Sequence, residues 1–299
     1  MKSLVTGGAG FIGSNLVDRL LDLGHEVVVI DNESSKSHEK FYWNENAENY
    51  NLDICDYEST RVLYDNVYYV FYLAAESSIP LSIENPIGTM LTNTLGTCTV
   101  LQCAREANVK RVMYSSTSAA YGSNSPPNVE TQLDDCLNPY SVSKVSGEKI
   151  CKMYTDLYDL PTIIFRYFNV YGERQPVRGQ YAPAIGIFLR QRLADEPLTI
   201  VGDGNQRRDF VYVGDVCNAN ILAATSEVDC EFFGQVYNVG TGVNYSINEI
   251  AKIISDKTVN IAPRPGEARI SLANNQKLKR VFGWTPKMEL EKWIQMQIK

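Results

Sequence analysis

The stretch Leu4-Val5-Thr6-Gly7-Gly8-Ala9-Gly10-Phe11-Ile12-Gly13 constrains the fold more than any other part of this 299-residue chain. An apolar run stops at a cluster of glycines, and apolar residues at helical spacing follow at once: Leu16, Val17, Leu20, Leu21 and Leu23. The order is strand, tight turn, helix. Gly7, Gly10 and Gly13 have distinct physical tasks: one allows the turn, one lets backbone approach a diphosphate, and one lets helix and strand pack closely. Amides at the helix start then face the anion, with the positive end of the helix dipole behind them. A second apolar strand, Glu26-Val27-Val28-Val29-Ile30, ends in Asp31. An acid there takes both hydroxyls of an adenosine ribose and repels a 2′-phosphate, which favours NAD over NADP. Glycine triplets also occur in ordinary turns. The strand before, the helix after and Asp31 at the next strand end raise the dinucleotide reading above that one.

The net charge of -7 argues against nucleic acid or an anionic membrane as a partner. No run of about 18 apolar residues occurs, so no spanning helix is expected. The chain enters a strand directly, which leaves no room for a signal peptide. Seven scattered cysteines form no CxxC pair, so neither a disulfide framework nor a metal site is expected, and a reducing cytoplasm fits best. His25 and His38, in a turn and a polar loop, read as surface residues.

Further strands are expected at the Asn51–Ile54 end, Tyr68–Leu73, Lys110–Ser115 and Thr162–Arg166. Helices are expected near Tyr57–Asn66, from Asn85-Pro86 to about Ala107, and from about Tyr140 to Leu157. Such alternation implies an α/β fold: a Rossmann-type, doubly wound parallel sheet with right-handed crossovers. Ligands sit beyond the carboxyl ends of the strands in such sheets. Gly7–Gly13, Asp31, Asp53, Ala74-Ala75 and Ser115–Ser118 all fall at such ends and are expected to line one crevice. From about Asn169 the pattern changes. Helices at Ala184–Ala194, Asp215–Thr225 and Ile247–Ser255 interleave with strands at Leu198–Val201, Phe210–Val213 and Val236–Val239. The expected division is a dinucleotide-binding domain over 1–168 and a smaller interleaved domain over 169–299, with segments near 210–240 returning to the first.

The chemistry concentrates in Tyr140-Ser141-Val142-Ser143-Lys144. Residues four apart share a helix face, so the Tyr140 hydroxyl and the Lys144 ammonium can flank one point. Tyrosine titrates near ~10 and needs a neighbouring positive charge to act as a base at neutral pH. The Thr117 hydroxyl can bond the same substrate oxygen. Together the three suit removal of a proton from a carbinol while a hydride leaves. An ordinary surface Tyr/Lys pair is the alternative, and the dinucleotide loop upstream outweighs it.

Here the chain resembles a family. Thr6–Gly13, Leu73-Ala74-Ala75, Ser115–Gly122, Asn138–Lys144 and Arg166–Gly172 are similar to motifs of the extended short-chain dehydrogenase/reductases. The likeness continues through Arg207–Val211 and Asn238–Gly242 to Arg264-Pro265-Gly266-Glu267, and is nearest to the NAD-dependent UDP-glucose and UDP-N-acetylglucosamine 4-epimerases. The dehydrating and decarboxylating relatives carry acids just after the catalytic Ser/Thr, where this chain has Ser118 and Ala119. The resemblance therefore implies epimerisation through a transient 4-keto sugar, with NAD tightly bound and regenerated each cycle. It implies Thr117, Tyr140 and Lys144 as catalytic residues. Gly7, Gly10, Phe11, Ile12, Gly13, Asp31, Asn32, Asp53, Ile54, Leu73, Ala74, Ala75, Asn93, Ser115 and Tyr167, with Tyr140 and Lys144, are implied at the cofactor. Ser78, Thr117, Asn169, Tyr181, Thr199, Val201, Arg208, Arg264, Glu267 and Ser271 are implied at a UDP-sugar. Arg208 and Arg264 would neutralise the diphosphate, unless Arg208 pairs with Asp209 or Asp203 instead. Ser271 matches a position that gates the sugar pocket. Serine there leaves volume for a 2-acetamido group, the alternative being a small packing residue. UDP-glucuronate 4-epimerase, another epimerase or reductase of this fold, and a non-catalytic NAD-binding regulator are the competing readings. Regulators of that kind usually lose the Tyr/Lys pair that this chain keeps. The resemblance also implies a homodimer, with the helices near Asn85–Ala107 and Tyr140–Leu157 forming a four-helix interface.

Overall fold

A computed structural model describes residues 1–177, 183–263 and 268–298. The first half of the chain forms β1 (Lys2–Thr6), α1 (Phe11–Asp22), β2 (Glu26–Asp31), β3 (Glu48–Asn51), α2 (Tyr57–Arg61), β4 (Tyr69–Tyr72), α3 (Ile79–Glu84), α4 (Pro86–Met90), α5 (Gly96–Glu106), β5 (Arg111–Thr117), α6 (Pro139–Tyr158) and β6 (Thr162–Tyr167). The second half adds β7 (Asn169–Tyr171), α7 (Ala184–Leu193), β8 (Leu198–Val201), β9 (Arg207–Tyr212), α8 (Val213–Thr225), β10 (Gln235–Val239), β11 (Asn244–Ser246), α9 (Ile247–Ile254), β12 (Thr258–Ile261), α10 (Gln276–Phe282) and α11 (Leu290–Gln297).

Seven parallel strands make one sheet in the order β10-β6-β5-β4-β1-β2-β3. Every residue of β4, β5 and β6 is buried, because helices cover both faces. Successive strand residues alternate between those faces. Val5, Val29, Phe71 and Phe165 pack with α1, α8 and α10, whereas Leu4, Val28, Val70 and Ile164 pack with α5 and α6. The direction of strand order reverses between β1 and β4, so a crevice opens beyond their carboxyl ends. A second cluster of α7, α9 and α11, centred on Phe188, Ile250 and Trp293, packs beside two small sheets, β11-β9-β7 and β12-β8. The late strand β10 pairs with β6 in the large sheet.

Several local expectations need correction. The helix at Tyr57 ends at Arg61 and gives way to a 3-10 turn over Val62–Tyr64. The strand expected at Asn51–Ile54 runs instead over Glu48–Asn51. Val213, expected to end a strand, begins α8. The long helix from Pro86 is interrupted by a π-helical turn at Leu91–Leu95, and α3 precedes it. That short helix has a Ser78 cap and Pro80 in its first turn, but six residues are too few to show periodicity. His25 is buried rather than on the surface, with Nδ1 2.8 Å from Ser3 Oγ. His38 is half-buried against the crevice.

Candidate active site

Two adjoining cavities of about 320 and 380 Å³ occupy the crevice. Both are bordered by Ser77, Tyr140, Tyr167 and Pro183. The first lies over the glycine loop. Gly7 adopts φ +68°, and a Cβ there would stand 2.7 Å from Ala74 N; one on Gly13 would stand 2.0 Å from Gly7 O. These two glycines are thus required by close approach between β1, β4 and α1. Gly10 meets nothing nearer than 3.4 Å, which leaves its backbone open to the cavity. The N-terminus of α1 carries no side-chain cap and no acid in its first turn. Its free amides and dipole suit a diphosphate. Asp31, buried at the end of β2, accepts from Ala9 N at 3.1 Å and Glu33 N at 2.9 Å. Burial pushes its carboxyl above the usual range, with those two amides opposing. One lone pair on each oxygen remains for ribose hydroxyls. These features fit an NAD molecule.

Of the residues implied at the cofactor, Gly7, Gly10, Phe11, Ile12, Gly13, Asp31, Asn32, Ile54, Leu73, Ala74, Ala75, Ser115, Tyr140, Lys144 and Tyr167 line the first cavity. Two of the expected residues are elsewhere. Asp53 is exposed outside the wall, accepting from Asn32 Nδ2 at 3.1 Å and from Cys55 N at 2.8 Å. Asn93 is fully buried behind it. Its amide donates to Glu76 O at 2.9 Å and Ser143 Oγ at 2.8 Å, and its carbonyl accepts from Glu76 N at 2.8 Å. Ser34, Ser35, Ser37, His38 and Phe41 also line this cavity. They lie on an aperiodic polar loop, so only tertiary placement reveals them.

The catalytic candidates converge where the cavities meet. Asn138 Oδ1 accepts from Ser141 N at 2.8 Å and caps α6, and Pro139 occupies its first turn. This capping sets Tyr140 and Lys144 one turn apart on the cavity side. Thr117 ends β5, its hydroxyl accepting from Ala119 N at 3.1 Å. Burial raises Tyr140 above its ordinary value, and a hydrogen bond with Thr117 opposes that shift. Burial pushes Lys144 down to about 7. The helix is anchored from below by Glu148, which accepts from Arg166 Nε at 2.9 Å, from its Nη2 at 2.7 Å, and from Ser116.

Ser78, Thr117, Asn169, Thr199, Val201, Arg208 and Ser271 line the second cavity. Asn169 Nδ2 donates to Asp209 O at 3.1 Å and stands 3.5 Å from Ser271 Oγ. Arg208 Nη1 donates to Arg207 O and Arg269 O, at 3.1 and 3.2 Å. Asp203 is paired with Arg269 at 2.6 Å, and Asp209 accepts from the amides of Thr241, Gly242 and Ala273. Tyr181, Arg264 and Glu267 lie outside the described residues. Among the described residues no His, Cys, Asp or Glu cluster could hold a metal ion.

A seven-stranded parallel sheet with a glycine-cradled dinucleotide site defines a Rossmann-type protein, and residues 3–240 match the model of the NAD dependent epimerase/dehydratase family. The chain belongs to that family, whose cofactor is NAD. It is 37% identical over 308 residues to a UDP-glucose 4-epimerase of Mycolicibacterium smegmatis, covering 98% of this chain and 96% of the relative. The structure of UDP-glucose 4-epimerase from Thermotoga maritima with UDP-glucose superposes with a TM-score of 0.93 at 36% identity, covering 100% and 97% of the two chains. A UDP-N-acetylglucosamine 4-epimerase from Methanobrevibacter ruminantium, solved with UDP-N-acetylmuramic acid, gives 0.91 at 34% identity, covering 99% and 96%.

Proposed function

We propose that this protein is an NAD-dependent 4-epimerase of UDP-sugars that interconverts UDP-GlcNAc and UDP-GalNAc and accepts UDP-Glc and UDP-Gal. The observation that carries this reading is the convergence of Thr117, Tyr140 and Lys144 at the junction of the two cavities. Gly7, Gly10, Gly13 and Asp31 would hold NAD in the first cavity, where it would supply a reversible hydride acceptor for C4 of the sugar. Tyr140 removes the proton of the 4-hydroxyl and later restores it. The Thr117 hydrogen bond favours the phenolate, and Lys144 supplies positive charge from the next turn. Ser77, Ser118, Ala119 and Gly122 leave a small-residue wall around the sugar, with room for the keto form to turn. Ser118 and Ala119 offer no carboxylate to drive elimination.

Arg208 is the single charged side chain among the described residues of the second cavity. It suits the diphosphate. The Thr117 end has only neutral groups, which supports an uncharged hexose over a uronic acid. Ser271, buried beside Asn169, leaves volume for an acetamido substituent.

The test is to incubate the protein with UDP-Glc, UDP-GlcNAc and UDP-glucuronate and resolve the products by NMR. UDP-GalNAc and UDP-Gal are expected; conversion of UDP-glucuronate alone would overturn the neutral-sugar reading. Tyr140→Phe should abolish turnover and leave NAD bound, and unchanged activity would sink the mechanism. Ser271→Tyr should cut UDP-GlcNAc conversion at least about tenfold while sparing UDP-Glc, because the lost volume must be recovered by overpacking.

A further inference from the structure

The Lys144 ammonium is held in an unusual way for a buried cation. Its residue is 2% exposed, and among the described residues no hydrogen bond or ion pair ends on Nζ. It instead stands over two ring faces, 4.3 Å from the centroid of Tyr114 and 5.8 Å from that of Tyr72. Both rings are locked. Tyr114 Oη donates to the carbonyl of Lys144 itself at 3.2 Å. Thr97 Oγ1 donates to Asn93 O at 2.5 Å, so its remaining lone pairs accept from Tyr72 Oη at 3.1 Å. Gly147 makes room for this: a Cβ there would lie 2.1 Å from the Tyr114 hydroxyl.

We propose that Tyr114 and Tyr72 are the positioning residues of Lys144, an aromatic cradle that keeps its ammonium charged at the cavity wall. The negative face of an aromatic ring attracts a cation, and more strongly once both are withdrawn from water. The other groups facing Lys144 offset its burial only in part. On α6, Glu148 is committed to Arg166 and Ser116, and burial raises Cys151 and Tyr140, which keeps both neutral. The Leu91–Leu95 turn and α5 contribute the neutral Asn93 and Thr97. Burial also raises Tyr72 and Tyr114, so they act through their rings rather than as phenolates. Burial draws Lys144 down to about 7, with Cys151 and Glu148 opposing in part, and a neutral lysine could not support the Tyr140 phenolate.

The inference rests on the proposed role of Lys144, and the test separates the two. Tyr114→Phe keeps the ring, and fluorinated phenylalanines at the same position keep its shape while draining its negative face. The titration of the Lys144 ε-carbon is followed by NMR in the cofactor-free protein, its signal assigned by its loss in Lys144→Met, alongside the alkaline limb of kcat. Both midpoints should fall stepwise with fluorination, by about one pH unit in total. The Tyr114→Phe midpoint should stay at the wild-type value. A midpoint that does not move across the series overturns the cradle. Full turnover in Lys144→Met would instead overturn the catalytic role of the lysine.

Discussion

At the scale of single residues, burial decides which titratable groups carry consequences for stability. His25 is enclosed at the start of β2, where burial and the amino-terminal charge both lower its pKa below 6.5. The unfolded chain therefore binds more protons than the folded one below that value, and stability falls as pH drops through 6.5. In His25→Asn the acid loss measured by urea unfolding should be shallower. An unchanged slope would mean that His25 does not titrate on unfolding. The turn-like Gly24-His25 context made this residue look exposed in the sequence. What buries it is the pairing of β1 with β2, which brings Ser3 to its ring.

At the scale of elements, α6 is the part that must be placed well, since it carries both Tyr140 and Lys144. Its capping residues were legible in sequence as Asn138-Pro139, and its position against β5 and β6 is held by Glu148, Ser116 and Arg166. The π-helical turn before α5 is the other support. It turns Asn93 toward the Glu76 backbone and the Ser143 hydroxyl, and Ser143 bonds the Tyr140 carbonyl at 2.7 Å. A continuous helical pattern hides such a bulge, because apolar spacing barely changes across one inserted residue. Asn93→Ala removes three hydrogen bonds at a fully buried position and should cost roughly 2–4 kcal/mol in denaturant unfolding. It should also lower kcat more than it raises KM, because it loosens α6 rather than the wall of the second cavity.

At the scale of the whole molecule, α4, the π-helical turn after it and α6 leave apolar side chains in water. Ile87, Leu91 and Leu95 are 74%, 53% and 49% exposed, and on α6 Val142, Met153 and Leu157 are exposed as well. Scattered apolar residues are normal, but six on helices that pack together form a patch suited to a copy of itself. We propose that the protein is a homodimer through this face. Leu91→Lys combined with Leu157→Glu should give a monomer in sedimentation velocity; a monomeric wild-type protein would refute the proposal.

The sequence by itself determined the parallel sheet, the glycine cradle, Asp31 at a strand end, Thr117 at the end of β5 and Tyr140 and Lys144 one helical turn apart. Each is carried by a local pattern: an apolar run, glycines at fixed spacing, or two residues one helical turn apart. Tertiary structure alone decided that Asp53 stands outside the cavity wall and that Asn93 serves the helices behind it. It also decided that the 34–41 loop lines the cofactor cavity, and that Arg208 borders the second cavity. Those outcomes depend on which surfaces meet across the crevice, and contacts between residues far apart in the chain leave no periodic mark on it.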